Sequence, residues 1–276
     1  MDSSLVGKPG LKKLEQDIYA VLGTVDTPAF QQMLVELVAE SPKYLAAHLS
    51  NPHSIPSPSS LMECRLSSWF KATGQEPEGS IPPYWTKRAV TGVLMEPFWM
   101  AVLRQCGLDI QHVPAGVAIG EDMHGKADYF IGDNALGELK DKNGWMYKRL
   151  LEGMGLAYEE PKEYMQAQMY LQGYEREWSL YMATPDSPGM LQSAMRNYKR
   201  YKDIPNWTLP LVYLEIIDRS DKDILIGLAR AKMMRADQAS TTPPPREYDG
   251  LVHDKGLHPC NICRFRKECN AVNNSG

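Results

Sequence analysis

Several things are scarce in this chain, and each scarcity removes a class of function. No apolar run approaches the roughly 18 residues that a membrane-spanning helix needs, and the opening MDSSLVGKPGLKKLEQDIYAVLG has neither a basic start nor a pure apolar core. A membrane protein or a secreted one is therefore not expected, and the expected location is the cytoplasm. The 30 Lys and Arg residues against 34 Asp and Glu give a net charge of -4, so no chain-wide positive field exists and any nucleic-acid surface has to be a local patch. Cys64, Cys106, Cys260, Cys263 and Cys269 are an odd set, which speaks against a disulfide framework. Internal repeats are absent, and so is a G-x-x-x-x-G-K-[ST] phosphate-binding loop. What is present, 43% hydrophobic and 23% charged residues, suffices for a buried core.

Residues 1–55 show helical spacing in IYAVLG and FQQMLVELV and end in the turn-rich SNPHSIPSPSS, which predicts an N-terminal helical extension. A Ser-capped short helix carrying Leu61, Cys64 and Trp69 is expected next, then a Pro- and Gly-rich loop. YWTKRAVTGVLMEPFWMAVLRQCG reads as a long helix, with Pro97 at a start or kink and Gly107 as its stop. VPAGVAIG, KADYFIG and NALGELK read as a β-meander, with Gly132, Asp133 and Asn134 in the tight turn between the last two. KEYMQAQMYLQGY returns to helical spacing, WSLYMAT and LVYLEIID read as buried strands, and DKDILIGLARAKMMRAD as a late helix. The expected class is α/β, a mixed central β-sheet flanked by helices, in one domain over 56–270 with a tail at 271–276.

Three of the cysteines fall within ten residues, HPCNICRFRKEC, spaced C-x2-C-x5-C. Thiols packed so closely in a reducing compartment point to a metal or an iron–sulfur cluster, with a fourth ligand from Cys64 or Cys106. Cys64 is favoured, because Cys106 lies in a helical run where a small buried thiol packs as an apolar residue.

The segment GKADYFIGDNALGELK holds the chemistry. Strand side chains alternate, so Glu138 and Lys140 project from one face, and the hairpin brings Asp128 beside them. Asp128, Glu138 and a backbone carbonyl can supply oxygen ligands to Mg2+ or Mn2+, while a lysine beside a metal-bound water can orient the nucleophile. These parts suit phosphodiester hydrolysis.

Together the motifs resemble the PD-(D/E)xK nuclease superfamily, in particular its RecB-like branch with an iron–sulfur cluster. The resemblance spans roughly residues 56–270, in order: SPSSLMEC from Ser57 to Cys64, Gly125 to Asp128, Glu138 to Lys140, Gln166 to Tyr170, and the terminal Cys260, Cys263 and Cys269. It implies a restriction-endonuclease-like core closed by a four-cysteine [4Fe-4S] cluster, with zinc as the alternative. One departure is TGVLMEP, where Glu96 stands in place of the branch's usual histidine; this is similar to phage lambda exonuclease and its relatives. The resemblance implies metal ligation by Asp128, Glu138 and the Leu139 carbonyl, helped by Glu96, with Lys140 orienting the attacking water.

Gln166 and Tyr170 share a helical face and can reach the active-site lysine or a DNA phosphate, whereas Gln168 points elsewhere. Tyr164 and Tyr174 are expected to pack. Basic and aromatic residues that could hold a strand are Trp145, Lys148 and Arg149 in a lid-like loop over 141–160, then Lys199 and Arg200. The implied function is a metal-dependent exonuclease on single-stranded DNA ends, 5′ to 3′ favoured, in recombination, repair or CRISPR-type processing. The other readings are a lambda-type duplex-end exonuclease and a DNA-end-binding subunit of a helicase–nuclease or adaptation complex. A homo-oligomer or such a partner is possible under these readings, and no membrane is expected.

Overall fold

The structure, a computed structural model, describes residues 8–50, 56–75, 83–196, 203–204, 208–245, 247, 263, 265 and 267–269. The helices are α1 (Lys8–Leu22), α2 (Pro28–Ser50), α3 (Arg65–Ala72), α4 (Pro83–Gln105), α5 (Gly144–Glu152), α6 (Leu156–Glu159), α7 (Pro161–Gly173), α8 (Pro188–Arg196) and α9 (Asp221–Ala239). The strands are β1 (Ile110–His112), β2 (Val117–Ile119), β3 (Met123–Gly125), β4 (Tyr129–Ile131), β5 (Ala135–Lys142), β6 (Trp178–Pro185) and β7 (Tyr213–Asp218). The main sheet has the order β1-β4-β5-β6-β7, and β2 and β3 form a separate two-stranded sheet.

Among the described strands only the β5–β6 pair is parallel. Parallel neighbours need a crossover, and α5, α6 and α7 supply it. The interior strand β6, WSLYMATP, is apolar on both faces because both are covered. On one face Leu180 and Met182 join a buried cluster with Leu14 and Ile18 of α1, Phe30 and Leu37 of α2, and Met100 and Leu103 of α4. The N-terminal helices thus pack into the core of the sheet. On the other face Leu136 meets Met165 and Met169 of α7 and Ile224 and Met234 of α9, while Tyr181 and Ala183 meet Tyr147, Leu150 and Leu191.

The sequence reading needs correction in four places. The meander of the main sheet begins with Ile110–His112, not with VPAGVAIG, whose Val117–Ile119 pairs with Met123–Gly125 in the small sheet. The expected loop over 141–160 is the end of β5 followed by α5 and α6, with α5 started by an Asn143 side chain that accepts from the Met146 N–H. The short helix begins at Arg65, with Cys64 as its N-cap residue and Leu61 before it. The serines close a turn of their own instead of capping that helix: the Ser57 N–H donates to Ser60 Oγ at 2.9 Å. Of the two places expected for Pro97, a helix start or a kink, it takes an interior one, inside α4.

Candidate active site

Strand β5 and helix α7 each present one polar stripe, and the stripes face each other. On β5 the stripe is Glu138, Lys140 and Lys142, two residues apart; on α7 it is Glu163, Gln166 and Tyr170, three and four apart. Glu138 is 2% exposed, and its Oε1 accepts from Lys140 Nζ and from Gln166 Nε2, the latter at 2.8 Å. Gln166 Nε2 also donates to the Tyr170 hydroxyl at 3.3 Å. Burial first, and the Glu138 charge next, push the Tyr170 phenol well above its ordinary range, so it stays protonated. Gln168 is turned away: it donates to the Asp218 carbonyl and accepts from the Ser220 N–H, joining α7 to the β7–α9 corner. Tyr164 bonds Asp223, and Tyr174 bonds the Ala115 carbonyl.

Asp128 sits at the entry to β4, where the ladder with β5 has run out. The last register pair is Tyr129 with Gly137, so the Leu139 N–H on that side donates to Asp128 Oδ2 at 2.7 Å instead of to a strand. The N–H and C=O of one strand residue point the same way, which directs the Leu139 carbonyl to this same open edge. Gly137 has to be glycine here, since a Cβ would lie 1.9 Å from the Tyr129 ring. Gly125 is required for a similar reason, with a Cβ meeting Pro58 at 2.7 Å and the Tyr170 ring at 2.8 Å. The serine turn is thereby seated on β3 and on α7.

The electrostatics show an excess of negative charge. Burial first, and the Asp128 charge second, push both Glu96 and Glu138 up to about 8, with Lys140 working in the opposite direction on each. Burial opposes the charge on Lys140, but Glu138, Asp128 and Glu163 outweigh it and hold its ammonium well above the ordinary lysine range. Three carboxyl groups so placed cannot all ionise cheaply without another cation. Among the described residues no three His, Cys, Asp or Glu side chains are gathered into a ready-made metal site. The carboxylates are occupied internally, Glu138 by Lys140 and Gln166 and Asp128 by the Leu139 N–H. The donor set nevertheless fits a hard divalent ion, since Mg2+ commonly takes one or two carboxylates and completes its shell with water and substrate oxygens.

Sequence reasoning missed the second half of the stripe. Lys142 is 2% exposed, with Nζ 2.5 Å from Glu163 Oε1 and 3.6 Å from Glu160 Oε2, and the Tyr181 hydroxyl donates to Glu163 Oε2. The signal was available in E-x-K-x-K on β5 and in the step of three from Glu163 to Gln166.

The remaining predicted residues fall into two groups. Cys64, Cys263 and Cys269 lie in one apolar cluster with Leu66, Phe70 and Phe265, whereas Cys260 lies outside the described residues. Cys106 packs partly buried against the main core, and burial pushes its thiol up to about 11. On α5, Trp145 is 55% exposed, Lys148 pairs with Glu152 at 2.8 Å and Arg149 with Glu159 at 3.0 Å. Lys199 and Arg200 lie outside the described residues.

No protein-family model matches the chain, and no curated protein matches it. Among solved structures it is similar to an alkaline exonuclease from Laribacter hongkongensis, at 14% identity and a TM-score of 0.46, over 66% of this chain and 87% of that one. It is similar to a phage-related exonuclease from Haemophilus somnus, at 15% identity and a TM-score of 0.44, over 66% of this chain and 80% of the other. The protein SSO0001 aligns at 17% identity and a TM-score of 0.48, over 88% of this chain and 98% of that one. The identities are too low for a residue role to pass from those proteins to this chain.

Proposed function

We propose that the protein is a divalent-metal-dependent DNA exonuclease acting at single-stranded ends. The observation that supports this reading best is the buried Glu138, which meets Lys140 and Gln166 directly and feels the charges of Asp128 and Glu96. Asp128, Glu138 and the Leu139 carbonyl, helped by Glu96, would hold Mg2+ or Mn2+. A bound ion of this kind supplies Lewis acidity to a phosphodiester and lowers the pKa of a water. Lys140, kept cationic by the surrounding carboxylates, orients the attacking water and offers positive charge to the phosphate oxygens. Gln166 holds Glu138 in place, and the protonated Tyr170 supports Gln166 from the next turn of α7. Trp145 offers an exposed ring on which an unpaired base can stack.

The terminal cysteines fit a cluster-binding role in donor type and in place. Cys64, Cys263 and Cys269 share one apolar cluster, and with Cys260 they would hold a [4Fe-4S] cluster, or zinc, that ties the segment before α3 to the end of the chain. Its role in this reading is structural.

A duplex-end exonuclease, which differs in substrate and not in chemistry, is the second reading, because Glu96 of the lambda-like TGVLMEP lies within the field of Asp128 and Glu138. The test is degradation of single-stranded and duplex DNA, labelled at either end, with Mg2+ or Mn2+, by anaerobically prepared protein and by Lys140→Ala. Metal-dependent loss of label by the native chain alone supports the proposal, and the label pattern gives polarity and strand preference. Binding without cleavage by both proteins would replace it with a DNA-end-binding role.

A further inference from the structure

A second set of buried charges lies beside the proposed centre, and that centre as described does not use it. Lys142, Glu160 and Glu163 are all largely buried, and Tyr181 closes the group from β6. Burying such charges commonly costs as much stability as the pairing returns, so the group is poorly explained as a stabilising device. Its placement offers another explanation. Glu160 and Glu163 stand at the N-terminal end and first turn of α7, and Gln166 follows one turn later on the same face, bonded to Glu138. The field of Glu163 also reaches Lys140, the partner of Glu138.

We propose that Glu163, held by Lys142 and Tyr181, is a positioning residue of the centre. It fixes the first turn of α7, and so the height at which Gln166 meets Glu138. The Glu163 charge also bears on the Lys140 ammonium that Glu138 binds. This inference rests on the nuclease reading of the site.

The experiment compares the full chain with Glu163→Gln and with the double variant Lys142→Met, Glu163→Gln. The readouts are Mn2+ affinity by calorimetry without DNA, kcat and KM for DNA, and Tm. Glu163→Gln is expected to bind Mn2+ roughly tenfold more weakly and to lose roughly tenfold in kcat, with KM for DNA within about twofold. In the double variant both charges of the pair are gone, so its Tm should return toward that of the parent while both losses persist. Should Glu163→Gln fail to fold, the double variant decides alone. Recovery of Mn2+ affinity and kcat together with Tm in the double variant would leave Glu163 a structural partner of Lys142 and overturn the proposal. So would a folded Glu163→Gln that matches the parent in both. A parent that binds Mn2+ but leaves DNA intact defeats the nuclease reading alone, because the Mn2+ affinities still decide the role of Glu163. A parent that binds no Mn2+ overturns both.

Discussion

Two glutamines separated by one residue divide the work of α7, and their difference is testable. Gln166 contacts Glu138 and Tyr170, whereas Gln168, itself fully buried, bonds the Asp218 carbonyl and the Ser220 N–H at the β7–α9 corner. Gln166→Ala should therefore lower kcat by roughly 10- to 100-fold with little change in Tm. Gln168→Ala should instead cost about 1–3 kcal/mol of stability, read by urea unfolding, while the folded fraction keeps its activity. The raised carboxyls give a second prediction. Between the ordinary carboxylate range and about 8, Glu96 and Glu138 hold protons in the folded chain that the unfolded chain has lost. The folded state then binds more protons, so metal-free stability falls as pH rises through that window and levels off above it. Melts of the metal-free protein across the window check this. Metal binding should release protons and tighten with rising pH, which calorimetry in two buffers of different ionisation enthalpy will show. Glu138 with Lys140, and Gln166 with Tyr170, were legible as same-face pairs from the strand and helix periods, and the order of the motifs in the resemblance joined them to Asp128. Lys142 and Glu163 lie on the same periods, but their burial was not legible, since a lysine and a glutamate are normally solvated and only the covering β6 and α7 bury this pair.

Among the elements, the serine turn, β3 and α7 form one wall, and Gly125 is the place where they touch. Gly125→Ala forces a Cβ against Pro58 and Tyr170. The expected cost is about 1–3 kcal/mol, with a fall in activity because Tyr170 and Gln166 shift together. Pro58→Ala added to it should recover part of the stability, since it removes the ring atoms nearest the new Cβ; no recovery would mean that the strain lies elsewhere. The long elements were readable from periodicity: α4, α7, α9, β5, β6 and β7 all stand where their apolar spacing put them. The short ones were not. β1 has three residues, too few for an alternating pattern, and it is a strand because Ile110 and His112 pair with Ile131 and Tyr129. α5 carries its buried Tyr147 and Leu150 within a run too short and too polar to stand out from a loop.

Across the whole molecule, the segment leading into α3 is tied to α9 and Glu247 by charge, beside the apolar cluster that holds Cys64, Cys263 and Cys269. Arg230 of α9 donates to the Leu61 and Glu63 carbonyls and pairs with Glu247, whose Oε2 also accepts from the Arg65 N–H; Arg65 in turn pairs with Asp237 at 2.6 Å. Arg230→Met should therefore speed hydrogen exchange at 61–70 more than at β5 and β6, and equal effects at both would contradict a local latch. That architecture sets the segment carrying Cys64 beside Cys263 and Cys269, and the same segment carries Pro58 onto Gly125. The central claim is that Asp128 and Glu138 form a metal-dependent hydrolytic centre, and the most direct measurement is cleavage of end-labelled DNA followed along a Mn2+ titration, for the native chain and for Asp128→Asn. Cleavage that rises with Mn2+ occupancy in the native chain, disappears with a chelator and is lost in Asp128→Asn is the predicted result; cleavage that persists in the chelator, or is undiminished in Asp128→Asn, would contradict it.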